Sequence, residues 1–244
     1  MTSRLTELCV DAHDPLQLAR FWAGVLGRQL SDAPGDGVAL QADDEPGFPI
    51  RFLPSDQPKT GPNQVHFDLT STSLEDQQAI VARALELGGR HLDIGQLPEE
   101  GHVVLADPEG NEFCVIEPGN NFLADTATIG ALSSDGSQAV GYFWSRAMDW
   151  PLVWDQDEET AIQSPRGGSK ISWGGPPVAE KHGKNRVHFN LRATDGDSAS
   201  ELARLGSLGA STAGTGQCGE GWTAMTDPDG NEFCLRAETS RLPG

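Results

Sequence analysis

No apolar run in this chain approaches the roughly 20 residues that a membrane helix needs, so no spanning segment is expected. The opening residues, MTSRLTELCVDAHD, lack the apolar core of a secretory signal and read directly as a strand. Cysteine is scarce, with 4 in 244 residues, which does not suit a disulfide framework. Cys9, Cys114 and Cys234 fall inside apolar strand patterns. Buried free thiols in a cytoplasmic protein are therefore expected. Basic residues are few as well: 17 Lys and Arg stand against 36 Asp and Glu, a formal charge of -19. That balance opposes phosphate backbones and anionic membranes, so neither nucleic acid nor a membrane is expected as a partner. Gly-rich phosphate loops and paired-cysteine zinc spacings are also missing.

What the chain does have is a repeat. DPEGNEFC at 107–114 returns as DPDGNEFC at 227–234, and VHFDL at 65–69 returns as VHFNL at 187–191. Phe21-Trp22 and Phe143-Trp144 stand in the same register. Three landmarks in order describe a duplicated unit of about 120 residues. Domains are expected at 1–120 and 125–244, joined through the Pro-, Gly- and Asn-containing stretch 118–128. The acidic excess lies mainly in the first half, which carries -13 of the net charge over residues 1–122.

Each half divides again. Alternation marks a strand over 6–12, and Asp14-Pro15 supplies a helix cap and first turn. Leu18, Phe21, Trp22, Val25 and Leu26 follow at helical spacing, and Gly27 ends the helix. Short strands come next, and the pattern restarts with VHFDL, a helix over 74–87 and two closing strands. The second half repeats this, with helices over 137–148 and 198–208. The phrase DP(E/D)GN is a tight turn, Pro fixing one φ and Gly permitting a positive one.

On these carriers (FWAGVLG at the helix end, VHFDL, and the closing hairpin DPEGNEFC) the chain resembles the vicinal oxygen chelate superfamily. That superfamily includes glyoxalase I, bleomycin-resistance proteins and extradiol dioxygenases. The resemblance implies an α+β fold of four βαβββ modules, paired into two glyoxalase/bleomycin-resistance/dioxygenase-type domains. It also implies cups lined by alternate strand residues. With the two modules of each half forming one cup, Glu7, Cys9, Asp11, His66, Asp68, Glu112 and Cys114 line the first. The second holds Ile129, Ala131, Ser133, His188, Asn190, Glu232, Cys234 and Arg236.

Metal-dependent members take ligands from the first strands and the last strand of modules, positions that fall here on Glu7, His66 and Cys114. Glu7 and His66 are thus the candidate metal ligands, with none or one divalent ion as the cofactor. His66 and His188 occupy matching positions, which also suits a structural role. In the second half the matching positions are Ile129, His188 and Cys234, which speaks against an extradiol dioxygenase.

The candidate ligand-binding residues are Cys9, Asp11, Asp68, Glu112, Cys114, His188, Asn190 and Arg236. Trp150 and Trp154 either edge a cup mouth, suiting a planar ligand, or plug an interface. Three readings stay open. The first is a binder of a small organic molecule, cationic or aromatic, without a complete metal triad. The second is a glyoxalase-like, metal-dependent lyase or isomerase, and the third is a non-catalytic interaction protein. The acidic first cup favours a cationic guest.

Overall fold

The structure, a computed structural model, describes residues 2–32, 37–42, 47–97, 99–194, 198–214, 218–219 and 221–236. The expected end of the second domain, 237–244, lies outside the described residues. The first module runs β1 (Ser3–Ala12), α1 (Pro15–Leu26), β2 (Leu30–Asp32), β3 (Val38–Leu40) and β4 (Ile50–Pro54). The second has β5 (Val65–Leu69), α2 (Leu74–Glu86), β6 (Arg90–His91), β7 (Val103–Ala106) and β8 (Glu112–Val115). The third comprises β9 (Ile129–Ser134), α3 (Gln138–Met148), β10 (Leu152–Gln156), β11 (Glu159–Gln163) and β12 (Lys170–Trp173). The fourth comprises β13 (Val187–Ala193), α4 (Ser198–Ser207), β14 (Ser211–Thr212), β15 (Trp222–Thr226) and β16 (Glu232–Arg236). Four βαβββ units, an α+β fold, are what the resemblance implied.

Helix starts follow their local chemistry. Asp14 accepts from the Gln17 amide, with Pro15 in the first turn, and Gly27 closes α1 at φ 70°. Ser73 and Ser137 cap α2 and α3 in the same way. Within α3, Gly141 permits a close approach: a Cβ there would lie 2.0 Å from Thr160 Oγ1 on β11. An interior glycine costs a helix about 1 kcal/mol, but no other residue lets α3 rest on this strand.

In every module the first strand pairs in parallel with the last. The modules then join through antiparallel first strands, β1 with β13 and β5 with β9. One eight-stranded sheet, called A below, therefore combines the first and fourth modules, and sheet B combines the second and third. This corrects the expected cup composition. Period-two patterning assigns faces, but it does not say which module's edge a first strand will meet. Glu7, Cys9 and Asp11 share sheet A with His188, Asn190 and Arg236, whereas His66, Asp68, Glu112 and Cys114 lie on sheet B.

The two repeated landmarks bind each other. Trp22 of α1 packs edge-on against Phe67 and Phe113 of sheet B while α1 also lies against β1, β3 and β4 of sheet A. Its Nε1 donates to Asp107 Oδ2 at 3.2 Å. Trp144 of α3 does the same with Phe189, Phe233 and Asp227, at 3.1 Å. Asp107 also accepts from the amides of Glu109 and Asn111 and from Asn111 Nδ2. Glu109 in turn accepts from the His13 and Asp14 amides ahead of α1, and Asp229 accepts from Ser137 ahead of α3. Two acidic residues of each repeated turn, Asp107 and Glu109 in the first and Asp227 and Asp229 in the second, thus fasten one module to the helix of another.

A further correction concerns cysteine. Cys218, in the segment before β15, forms a disulfide with Cys234, with the Cα atoms 6.0 Å apart. Cys9 and Cys114 are free and buried, as expected. Cys234 was also expected unpaired. Strand patterning is blind to a partner 16 positions earlier in a loop, and this bond withdraws the thiol argument for a reducing compartment. Among the described residues no helix is long and apolar enough to cross a membrane.

Burial pushes the Asp107 and Asp227 carboxyls up to about 6 each, against the opposing pull of their N–H donors. The folded chain holds these protons to higher pH than the unfolded chain does. Their contribution to stability is complete below the ordinary carboxylate value and is lost as pH rises through about 6. Removing one donor should deepen that loss, because the ionised carboxylate needs it more than the neutral acid. Trp144→Phe is expected to cost about 1 kcal/mol at pH near 5 and about 2–3 kcal/mol at pH near 8. Urea unfolding across that range checks this, and a pH-independent difference would contradict it.

Candidate functional site

The inner face of sheet A is filled by its own polar groups. Glu7 Oε1 accepts from Asn190 Nδ2 at 2.7 Å and lies 3.5 Å from Arg51. Lys184 Nζ sits 2.5 Å from Asp11 Oδ2. Burial, with the Glu7 charge adding to it, pushes the Cys9 thiol up, so it stays protonated and inert. His188 is buried, and desolvation with the nearby Lys184 charge holds its imidazole down to about 3. It is a neutral ring at any ordinary pH. Its Nδ1 finds no partner among the described residues. Arg236 lies over the Trp222 ring at 5.5 Å.

Sheet B carries the open space. A cavity of about 490 Å³ has Phe122, Trp154, Trp173, His66, Ser133 and Ser172 in its wall. The strands explain the convergence. His66 of β5 stands opposite Ser133 of β9, and Ser133 stands beside Ser172 of β12. Trp154 of β10 is half exposed at the rim, where Phe122 meets it edge-on at 6.3 Å. Phe122 comes from the stretch between the halves, read from sequence only as a connection. Trp150 packs against the core instead.

His66, Asp68 and Cys114 form a cluster at this face, their ligand atoms all within 4.8 Å of one another. His66 Nε2 is 3.4 Å from Asp68 Oδ1, and Ser133 Oγ donates to Asp68 Oδ2. Ser172 Oγ lies 3.4 Å beyond Ser133 Oγ. Burial first, and then the Asp68 carboxylate, push the Cys114 thiol up. A carboxylate rather than an imidazole touches Ser133, so the serine lacks the base a nucleophile needs. The donor set of one nitrogen, one oxygen and one thiol sulfur fits a zinc-class ion and does not fit magnesium or calcium.

Of the two candidate metal ligands, then, His66 belongs to a cluster able to hold an ion. Glu7 does not, since it sits on the other sheet, tied to Asn190 and Arg51. Glu112, expected in an acidic lining, is bound by Lys59 at 2.6 Å and by the Asn63 amide. The carboxylates of the supposed acidic cup are separated, and Glu7, Asp11 and Glu112 each have a cation beside them. No single acidic pocket for a cationic guest forms from Glu7, Asp11, Asp68 and Glu112. Sequence reasoning missed Ser172 and left Trp173 unplaced; Trp173, the last residue of β12, belongs both to the buried core and to the cavity wall.

Comparison with known proteins places this geometry. The family model for a glyoxalase-like domain matches residues 7–116 and again 131–236. None of the curated proteins matches. Among solved structures, glyoxalase I from Zea mays is similar at 15% identity with a TM-score of 0.70, covering 96% of this chain and 92% of its own. A putative dioxygenase from Bacillus subtilis is similar at 18% identity with a TM-score of 0.62, covering 98% of this chain and 86% of its own. At these identities the likeness is one of fold. Matched by the same family model in both halves, the chain belongs to the glyoxalase-like domain family of the vicinal oxygen chelate superfamily.

Proposed function

We propose that the chain binds one small organic molecule with a planar aromatic part in the cavity of sheet B, between the second and third modules. The observation that carries this is the cavity itself. At about 490 Å³ it has the size of a small-molecule site, with aromatic walls and a few convergent polar groups. Trp154 and Phe122 offer ring faces and edges, while Ser133, Ser172 and His66 offer donors and acceptors for an oxygen-bearing substituent. The inner face of sheet A, by contrast, is occupied by its own ion pairs and hydrogen bonds. The ligand-binding set shifts accordingly from Cys9, Asp11, His188, Asn190 and Arg236 to the sheet B residues.

Titration with 2-naphthol, followed by tryptophan fluorescence, tests this. Trp154→Ala should weaken binding about tenfold, the order of one lost aromatic contact with its buried area. Asn190→Ala, on the other sheet, should leave it unchanged. The reverse pattern, or saturable binding that neither variant alters, would place the ligand elsewhere.

The His66–Asp68–Cys114 cluster supports a second component of the same reading. These three residues would hold a zinc-class ion beside the cavity, which His66 lines, and such an ion would polarise an oxygen of a bound molecule that reaches it. The chain's own part is positional: Asp68 fixes His66, Ser133 and Ser172 orient a substituent, and the aromatic rim limits water. Zinc should bind at about one equivalent, and more weakly as pH falls, because imidazole and thiol must give up their protons. Calorimetry should show at least a tenfold loss in Cys114→Ser. Unchanged affinity in both Cys114→Ser and His66→Ala would exclude the cluster.

A further inference from the structure

A second repeat is left unexplained by the cavity. Lys59-Thr-Gly-Pro-Asn63, ahead of β5, matches Lys181-His-Gly-Lys-Asn185, ahead of β13. Both segments are pinned alike. Lys59 binds Glu112, and Lys181 binds Glu232 at 2.7 Å. Asn63 donates to Asn111, and Asn185 to Asn231, at 2.9 Å each. Between the two segments lies a cleft of about 310 Å³, with Lys59, Lys181, Lys184 and Arg186 in its wall. Asn63, Gln64 and Asp135 belong to the walls of both the cleft and the aromatic cavity, so the two spaces adjoin.

Four cations around one cleft are unusual in a chain with 36 acidic and 17 basic residues. Each has one carboxylate beside it: Glu112, Glu232, Asp11 and Glu109. None of those four carboxylates lines the cleft. In the Lys184 and Lys181 pairs the lysine is the more exposed member, 26% against 7% for Asp11 and 25% against 9% for Glu232. The pairs therefore present their cationic ends to the opening. Donors remain as well. Lys184 spends one N–H on Asp11, and Arg186 Nε is buried without an acceptor among the described residues. The acids that do line the cleft oppose this only in part, since Asp135 Oδ2 accepts from the Ala179 amide and Glu180 is exposed.

We infer that the molecule taken by the sheet B cavity carries an oxyanion, of carboxylate type, that reaches into this cleft and meets Lys184 and Arg186. The inference rests on the cavity reading above and adds a substrate class to it: an aromatic body with an acidic tail. A guanidinium and an ammonium together recognise such a group through charge-assisted hydrogen bonds.

The test uses two probes of one shape, 4-(2-naphthyl)butanoate and its amide, titrated into the whole protein at low and high sodium chloride. The acid should bind about tenfold more tightly than the amide at low salt, and the advantage should shrink as salt rises. Lys184→Met should remove the advantage while leaving the amide's affinity unchanged. Because that change strands Asp11, Lys184→Met/Asp11→Asn serves as a second variant, and it should behave the same. Equal binding of acid and amide, both weakened by Trp154→Ala, overturns the oxyanion cleft and leaves the cavity standing. Failure of both probes to bind overturns the cavity reading, and this inference with it.

Discussion

A buried indole N–H on a buried carboxylate holds this molecule in register. Trp22 donates to Asp107, and Trp144 to Asp227. Each bond crosses between modules, from the helix of one to the final turn of the next. A hydrogen bond to a charged group is worth about 1.5–3 kcal/mol. The aromatic rings around each tryptophan exclude water from the bond and make it strong. Any change that moves α1 or α3 must break this bond, so the helices, and the sheets they touch, are fixed relative to the turn. That is why Phe-Trp and Asp-Pro-x-Gly-Asn recur as a pair.

The clamp joins the modules of each half through their helices and leaves the first strands β1 and β5 with free edges. Those edges meet the first strands of the other half, and two mixed sheets result. A duplicated sequence thus yields two faces that each draw on both copies. They have diverged in opposite directions. Sheet A closes on itself through Glu7–Asn190 and Asp11–Lys184, whereas sheet B keeps small hydroxyls at Ser133 and Ser172 and leaves room above them. Small side chains on one strand pair, Ser133 and Ser172, line the open space of sheet B.

Much of this was legible in the sequence, because it is local. Caps at Asp14, Ser73 and Ser137, the apolar spacing of α1, and the alternation of VHFDL all report on residues within a few positions. The partner of β1 was not legible, since its alternating pattern suits any edge. Nor were the counter-ions. Glu112 meets Lys59, 53 positions away, and Asp11 meets Lys184, 173 positions away, both from loops without periodic signal. Two of the carboxylates that looked unpaired along the strands are met by those loops. His66, Asp68 and Cys114 were each read as facing inward, and they do share one face, because β5 and β8 are neighbours within a module.

The central claim is that one face of the duplicated fold is open to a ligand and the other is closed by its own side chains. Calorimetric stoichiometry with 4-(2-naphthyl)butanoate tests it most directly. One molecule bound per chain, with a single transition, is the result the account expects. Two molecules per chain, with similar affinities, would show that the inner face of sheet A opens as well, and would contradict it.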